Sequence, residues 1–189
     1  MNCEELVSLA LEQGFANAAV VETKDIPFVP GFRICCEDNT CGKYGANYSC
    51  PPDCGSPADM EQKAKSHRYA LLLQTMWQMD DAMDSAALKT SKGQHNRMVR
   101  RLIDQLSAVS HGIMVGASGC NLCNPCAITA GEPCRFPDKQ FSCMSAYCVY
   151  VEKLAEDCGM EYDSGPGIVN FFGMYLFDWN GSDANEPHA

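Results

Sequence analysis

At 189 residues, with 46% hydrophobic and 20% charged residues, the chain can bury one sizeable core and lacks a disordered composition. A formal net charge of -10, with no basic group beyond Arg97, Arg100 and Arg101, argues against a nucleic-acid partner, which needs clustered cations. No apolar run approaches the roughly 20 residues that span a bilayer, and the acidic start MNCEELVSLALEQGF is unlike a secretory signal, so a cytoplasmic protein without a membrane segment is expected.

Residues 3–14 read as an amphipathic helix, with Leu6, Leu9 and Ala10 at helical spacing and Gly14 as its stop. A brief apolar strand follows at 18–23. Over 25–57 the periodicity vanishes and Pro, Gly and Cys dominate. A structureless stretch that long inside a domain needs something other than a core to order it, and metal–ligand bonds can do so. A helix at 58–67 and a strand at 69–76 come next, then an ambiguous segment, 80–91, read as a loop with helical turns. Residues 94–110 form the clearest helix, with Met98, Leu102, Leu106 and Val109 on one face. A strand at 113–117 leads to a second cysteine-rich segment, 120–143. A helix at 144–157 stops at Gly159, and a strongly apolar strand occupies 168–177. The remainder, WNGSDANEPHA, is polar and expected to fray.

This alternation predicts an α/β or α+β fold: a single four-stranded sheet with covering helices, from which two cysteine-rich loops project. One metal-binding domain is expected over 1–178, with a polar tail over 179–189.

Thirteen cysteines, an odd number in a chain without an export signal, point to metal rather than a disulfide scaffold. In the second group, Cys120, Cys123 and Cys126 form a C-x2-C-x2-C run, and Cys134 follows between Pro133 and Arg135. Two residues between ligands let successive thiolates turn inward around one ion or cluster. Three such cysteines in a row are what ferredoxins wrap around a cubane, whereas zinc sites more often use two separated C-x2-C pairs. The spacing therefore favours an iron–sulfur cluster, [4Fe–4S], over zinc. Cys134 is the expected fourth ligand, and Cys143 is its nearest competitor. Gly116 and Gly119 are read as letting the backbone approach this centre and donate N–H bonds to its sulfurs.

The first group is spaced Cys36-x4-Cys41-x8-Cys50-x3-Cys54. Adjacent cysteines rarely share a centre, so Cys36 is chosen over Cys35. The candidate metal ligands are Cys36, Cys41, Cys50 and Cys54. Iron–sulfur leads zinc there, and a purely structural role stays open. Cys3, Cys148 and Cys158 are read as core or surface thiols. None of the histidines, His67, His95, His111 and His188, lies in a metal or base–nucleophile motif, so all four are read as structural.

Together the groups resemble the DUF2284 family of predicted metal-binding proteins. The matching pieces are C-x4-C-x2-Y-G…C-P-P (Cys36, Cys41, Tyr44, Gly45, Cys50, Pro51, Pro52) and G-C-x-L-C-x2-C…P-C-R-F-P from Gly119 to Pro137. The closing strand from Val169 to Leu176 is similar too. The resemblance implies a cysteine-bound metal centre and no established reaction. It supports Cys36, Cys41 and Cys50 but not Cys54, and it supports Cys120, Cys123, Cys126 and Cys134 as a set. Tyr48 stands where the family tends to carry Trp, and Cys143, Ser145 and Cys148 stand where it tends to carry Ser, Glu and Gly.

The expected function is electron transfer, or service as accessory to a partner redox protein or enzyme. The alternatives are a redox enzyme with an incompletely thiolate-ligated cluster and a zinc-stabilised interaction module. No small-molecule substrate is indicated.

Overall fold

The structure, a computed structural model, describes residues 1–81 and 84–180. Its helices are α1 (Cys3–Glu12), α2 (Ile34–Glu37), α3 (Pro57–Lys65), α4 (Ser85–Leu106) and α5 (Val151–Asp157). Its strands are β1 (Asn17–Glu22), β2 (Tyr69–Gln78), β3 (Ser110–Gly116), β4 (Ser142–Cys143) and β5 (Ile168–Trp179).

The strands form one open mixed sheet in the order β1-β2-β5-β3-β4, antiparallel except for the parallel β3–β4 pair. The sheet thus has five strands rather than the expected four. The extra one, β4, is only two residues long and comes from the second cysteine segment. It pairs Ser142 with Val115 and Cys143 with Gly116, and two residues are too few to carry a period-2 signal.

The two central strands, β2 and β5, are apolar on both faces because both faces are covered. On one side Ala70, Leu72, Met174 and Leu176 pack with Met60 and Ala64 of α3 and Leu154 and Ala155 of α5. On the other, Tyr69, Leu71, Leu73, Tyr175 and Phe177 pack with Leu6 and Ala10 of α1 and Val99, Leu102 and Leu106 of α4. Odd and even positions of each strand serve opposite layers, as a pleated strand requires.

Local chemistry sets the helix starts. Asn2 with Glu5 and Ser56 with Asp59 form capping boxes for α1 and α3, and Pro57 opens α3 without losing a needed donor. The Asp84 carboxylate accepts from the Ala86 and Ala87 N–H groups and starts α4 nine residues ahead of the expected 94. The apolar stripe that marks this helix begins only later, so 80–91 carried no signal of it. In contrast, α5 starts seven residues later than expected. The backbone of 148–150 is engaged elsewhere: Val29 N–H donates to Cys148 O at 2.8 Å and Tyr150 N–H to Pro27 O at 2.8 Å. β5 runs on through Trp179, which pairs with Ser110, so the expected tail begins inside a strand. Positions 181–189 lie outside the described residues.

His95 is fully buried, and its Nδ1 lies 2.8 Å from Thr75 Oγ1. Burial holds the imidazole down at about 3, so it is neutral at any physiological pH. Gly173 of β5 makes room for it, since a Cβ there would stand 2.7 Å from His95 Nε2. His67 pairs with Asp178 at 2.8 Å, and His111 Nδ1 lies 3.0 Å from Asn180 Oδ1. No helix among the described residues is long and apolar enough to cross a membrane.

Candidate metal centre

The second cysteine segment begins where β3 leaves the sheet. Asn96 of α4 fastens that exit: its Oδ1 accepts from the Ala117 N–H at 2.9 Å and its Nδ2 donates to Ser118 Oγ at 3.0 Å. Gly116 allows the approach, because a Cβ there would stand 2.8 Å from Asn96 Oδ1, Phe141 Cε2 and Ser118 O.

The chain then wraps a small surface pocket lined by Cys120, Cys123, Cys126 and Cys134, with Tyr48 and Phe136 among its walls. Its empty volume is about 270 Å³, part of it continuous with solvent. All four cysteines are half-buried. Cys126 immediately precedes the 3-10 turn Ala127–Ala130. Burial pushes its thiol up, but N–H bonds from Ile128 and Tyr48, the Cys123 side chain and the Ala127 N–H outweigh that, leaving it below the ordinary thiol value. The Cys120 thiol is raised by burial, against N–H bonds from Leu122 and Phe141 and the charge of Arg100.

The first cysteine segment is not structureless. It holds the 3-10 turns Thr23–Asp25 and Pro30–Arg33, the single turn α2, and a chain of hydrogen-bonded turns up to α3. Its tip is bolted to the second segment. Asn47 Nδ2 donates to Cys120 O at 2.8 Å, and Cys120 N–H donates to Ser49 Oγ at 2.9 Å. Tyr48 Oη donates to Glu132 O at 2.7 Å. Gly119 is the tightest point, since a Cβ there would stand 2.9 Å from Cys50 Sγ. The glycine read from sequence as backing the Cys120 centre therefore abuts a thiol of the other group.

Cys36, Cys41, Cys50 and Cys54 lie together with two further thiols, Cys143 and Cys148. Burial raises Cys36 to about 11, and Cys143, Cys148 and Cys41 add to it while Arg33 opposes it. Burial raises Cys50 to about 12, with contributions from Cys143, Cys41 and Cys54. Cys143 is raised by burial and by Cys41, while N–H bonds from Ala146 and Ser145 lower it. Arg33, only 8% exposed, lies among these thiols. Its Nη1 is 3.7 Å from Cys54 Sγ and its Nη2 donates to Ala146 O at 3.0 Å.

Sequence reading missed the place of Cys143, Cys148 and Arg33. Cys143 is beside the first loop because β4 aligns it with the end of β3, a contact that spacing along the chain does not reveal. The pair Cys143-x4-Cys148 was the available hint.

The chain matches the model of a family described as predicted metal-binding protein (DUF2284) over residues 19–177, from β1 through most of β5. The protein belongs to this family. The matched span of this DUF2284 protein includes both cysteine segments. No curated protein and no solved structure matches it.

All thirteen cysteines are free thiols. Among the described residues no three His, Cys, Asp or Glu side chains close around one point as the ligands of a lone ion do. The Cys120 pocket nonetheless fits a thiolate-ligated group: four soft donors face one hollow, and backbone N–H groups stabilise one of them as an anion.

Proposed function

We propose that this protein carries an iron–sulfur cluster, [4Fe–4S], on Cys120, Cys123, Cys126 and Cys134, and passes electrons to or from a partner redox protein in the cytoplasm. The observation that carries the reading is the single solvent-connected pocket lined by all four of these thiols. Cysteines spread around a hollow suit a cluster, where each binds a different iron, better than one tetrahedral ion with four sulfurs about 2.3 Å from its centre. Bound there, a cluster supplies one-electron exchange. The chain's own part is to hold the four thiolates, to donate N–H bonds to sulfur from Ile128, Tyr48 and Ala127, and to keep the rim open between Tyr48 and Phe136.

That Cys134 lines the same pocket favours a fully thiolate-ligated carrier over an enzyme with an open iron. Among the described residues no histidine or carboxylate lines the pocket to act as acid or base.

Anaerobic purification of the full chain tests the proposal. Brown protein with iron and acid-labile sulfide in equal amounts, reducible by dithionite, is the expected result. Colourless protein loaded with zinc overturns it. Cys134→Ser is expected to lose this cluster, and an unchanged spectrum removes Cys134 from the ligand set.

A further inference from the structure

Positive charge in this acidic chain is concentrated on α4. Lys89, Lys92, Arg97, Arg100 and Arg101 are five of its fourteen Lys and Arg, and Asp104 is one of its twenty-four Asp and Glu. The helix therefore carries +4, and the rest of the chain -14. Surface helices ordinarily offset such charges with acids one turn away. Both α3 and α5 do so, pairing Lys65 with Glu61 and Lys153 with Asp157. On α4 no acid stands three or four residues from Lys89, Lys92 or Arg97. Arg97 has Arg100 and Arg101 at those positions instead, and like charges at that spacing weaken a helix. Among the described residues none of the five cations takes part in a salt bridge.

This basic helix borders the Cys120 pocket. Asn96 fastens Ala117 and Ser118, just ahead of Cys120, and one turn further along α4 the Arg100 Cζ lies 5.1 Å from the centre of the Phe141 ring. Phe141 follows Gln140, which lines the pocket. Arg97 and Arg101, on either side of Arg100 in the sequence, are exposed. On the pocket's own rim Phe136 is 44% exposed, and its chain neighbours Arg135 and Lys139 are exposed too. Glu132 and Asp138 are the only acids between β3 and β4. An exposed aromatic edged by cations without partners has the make-up of a docking surface, in which the apolar centre holds and the charged rim selects.

We propose that the Arg97, Arg100 and Arg101 face of α4, with Phe136 at the pocket mouth, docks the acidic surface of a partner protein. A nucleic acid is the poorer fit. Its phosphates run on past three arginines, and the rest of this chain, at -14, would meet them. An acidic patch on a protein can end where the arginines end, and the negative remainder of this chain then turns away partners of the wrong sign or orientation. That the partner exchanges electrons rests on the function proposed above; the sign of its surface does not.

The test uses the full chain, purified anaerobically, with the folding of each variant checked by far-UV circular dichroism. One probe is a fluorescein-labelled oligo-aspartate peptide, read by anisotropy. The others are two cobalt(III) oxidants of opposite charge, the anionic EDTA complex and the cationic hexaammine, each taking one electron from protein reduced with dithionite and freed of the excess. Wild type is expected to bind the peptide despite a net charge of -10, with affinity falling about tenfold from low to physiological salt. Arg97→Gln, Arg100→Gln and Arg101→Gln together are expected to weaken binding at least about tenfold. Lys63→Gln with Lys65→Gln, on α3 across the sheet, is expected to leave it unchanged. The triple variant is also expected to reduce the anionic complex about fivefold more slowly, and the hexaammine no more slowly. Absence of binding by wild type, or equal weakening by the α3 pair, overturns the docking face. Tighter binding of a single-stranded oligonucleotide than of the peptide overturns the choice of a protein partner. Equal slowing with both oxidants overturns the placement of the arginines beside the pocket. Protein without a redox-active centre reduces neither oxidant; that sinks the proposed function and leaves the peptide measurement to decide the docking face.

Discussion

The two cysteine groups differ in how the chain assembles them. Cys120, Cys123, Cys126 and Cys134 come from a single stretch of fifteen residues that curls around an open pocket, and its backbone supplies most of the N–H groups facing their sulfur. Cys36, Cys41, Cys50 and Cys143 come from segments about a hundred residues apart, with Arg33 buried beside them. A local group needs only its own turns to form. A composite group needs the sheet, because β4 must pair with β3 before Cys143 reaches the first loop. The pocket is therefore open to solvent and formed by its own segment, whereas the composite group is set by folding of the sheet.

The sharpest contrast lies in thiol reactivity. In metal-free, reduced protein near neutral pH, Cys126 is expected to alkylate at least about tenfold faster than Cys50, because thiolate is the reactive form and its population follows pKa. Cys126 lies below the ordinary thiol value and Cys50 is pushed up to about 12. Timed iodoacetamide labelling read by peptide mass spectrometry measures it, and equal rates would erase the electrostatic distinction between the groups.

The seam between them is the next place to press. Gly119→Ala puts a methyl group 2.9 Å from Cys50 Sγ and 3.3 Å from Ser49 Oγ. A loss of about 2 kcal/mol is expected, by overpacking at a site flanked by both loops, with metal content falling in both groups together. Loss confined to one group would show that they are mechanically independent.

Arg33→Gln probes one side only. Removing the bond to Ala146 O, which ties the first cysteine segment to the chain after β4, is expected to cost about 1.5 kcal/mol. Denaturant melts of wild type and variant measure the difference, and an unchanged midpoint would show that this bond does not hold the first segment in place. The smallest effect belongs to Tyr48→Phe, which deletes the bond to Glu132 O at the rim of the open pocket. About 0.5–1 kcal/mol is expected, since the bond is exposed, together with faster loss of metal to a chelator from the Cys120 group alone.

Much of this architecture was legible because it is local. The apolar run of β1 and the helical stripe of α4 are each carried by a single segment, and the C-x2-C-x2-C run marks a pocket that one segment can build. What escaped is non-local. The two residues of β4 have no period of their own and become a strand only by pairing with Val115 and Gly116. The 144–150 segment has helical spacing, yet Pro27 and Val29 claim its backbone. Cys143 competed in the sequence for a place at the Cys120 centre, and the sheet turned it toward the other loop. Arg33 carried no signal, because an arginine between Phe32 and Ile34 looks like a solvated charge until the thiols around it are in place.

The position of β5 also governs the order of events during synthesis. It is the last strand in sequence and the middle one in the sheet, pairing with ten residues of β2 and six of β3. All thirteen cysteines precede it, the last being Cys158. Every thiol is therefore synthesised before the strand that joins the two halves. The contiguous Cys120 group, which needs no distant partner, is thus complete in sequence before the sheet can close, whereas the thiols of the first loop meet Cys143 only once β4 has joined β3.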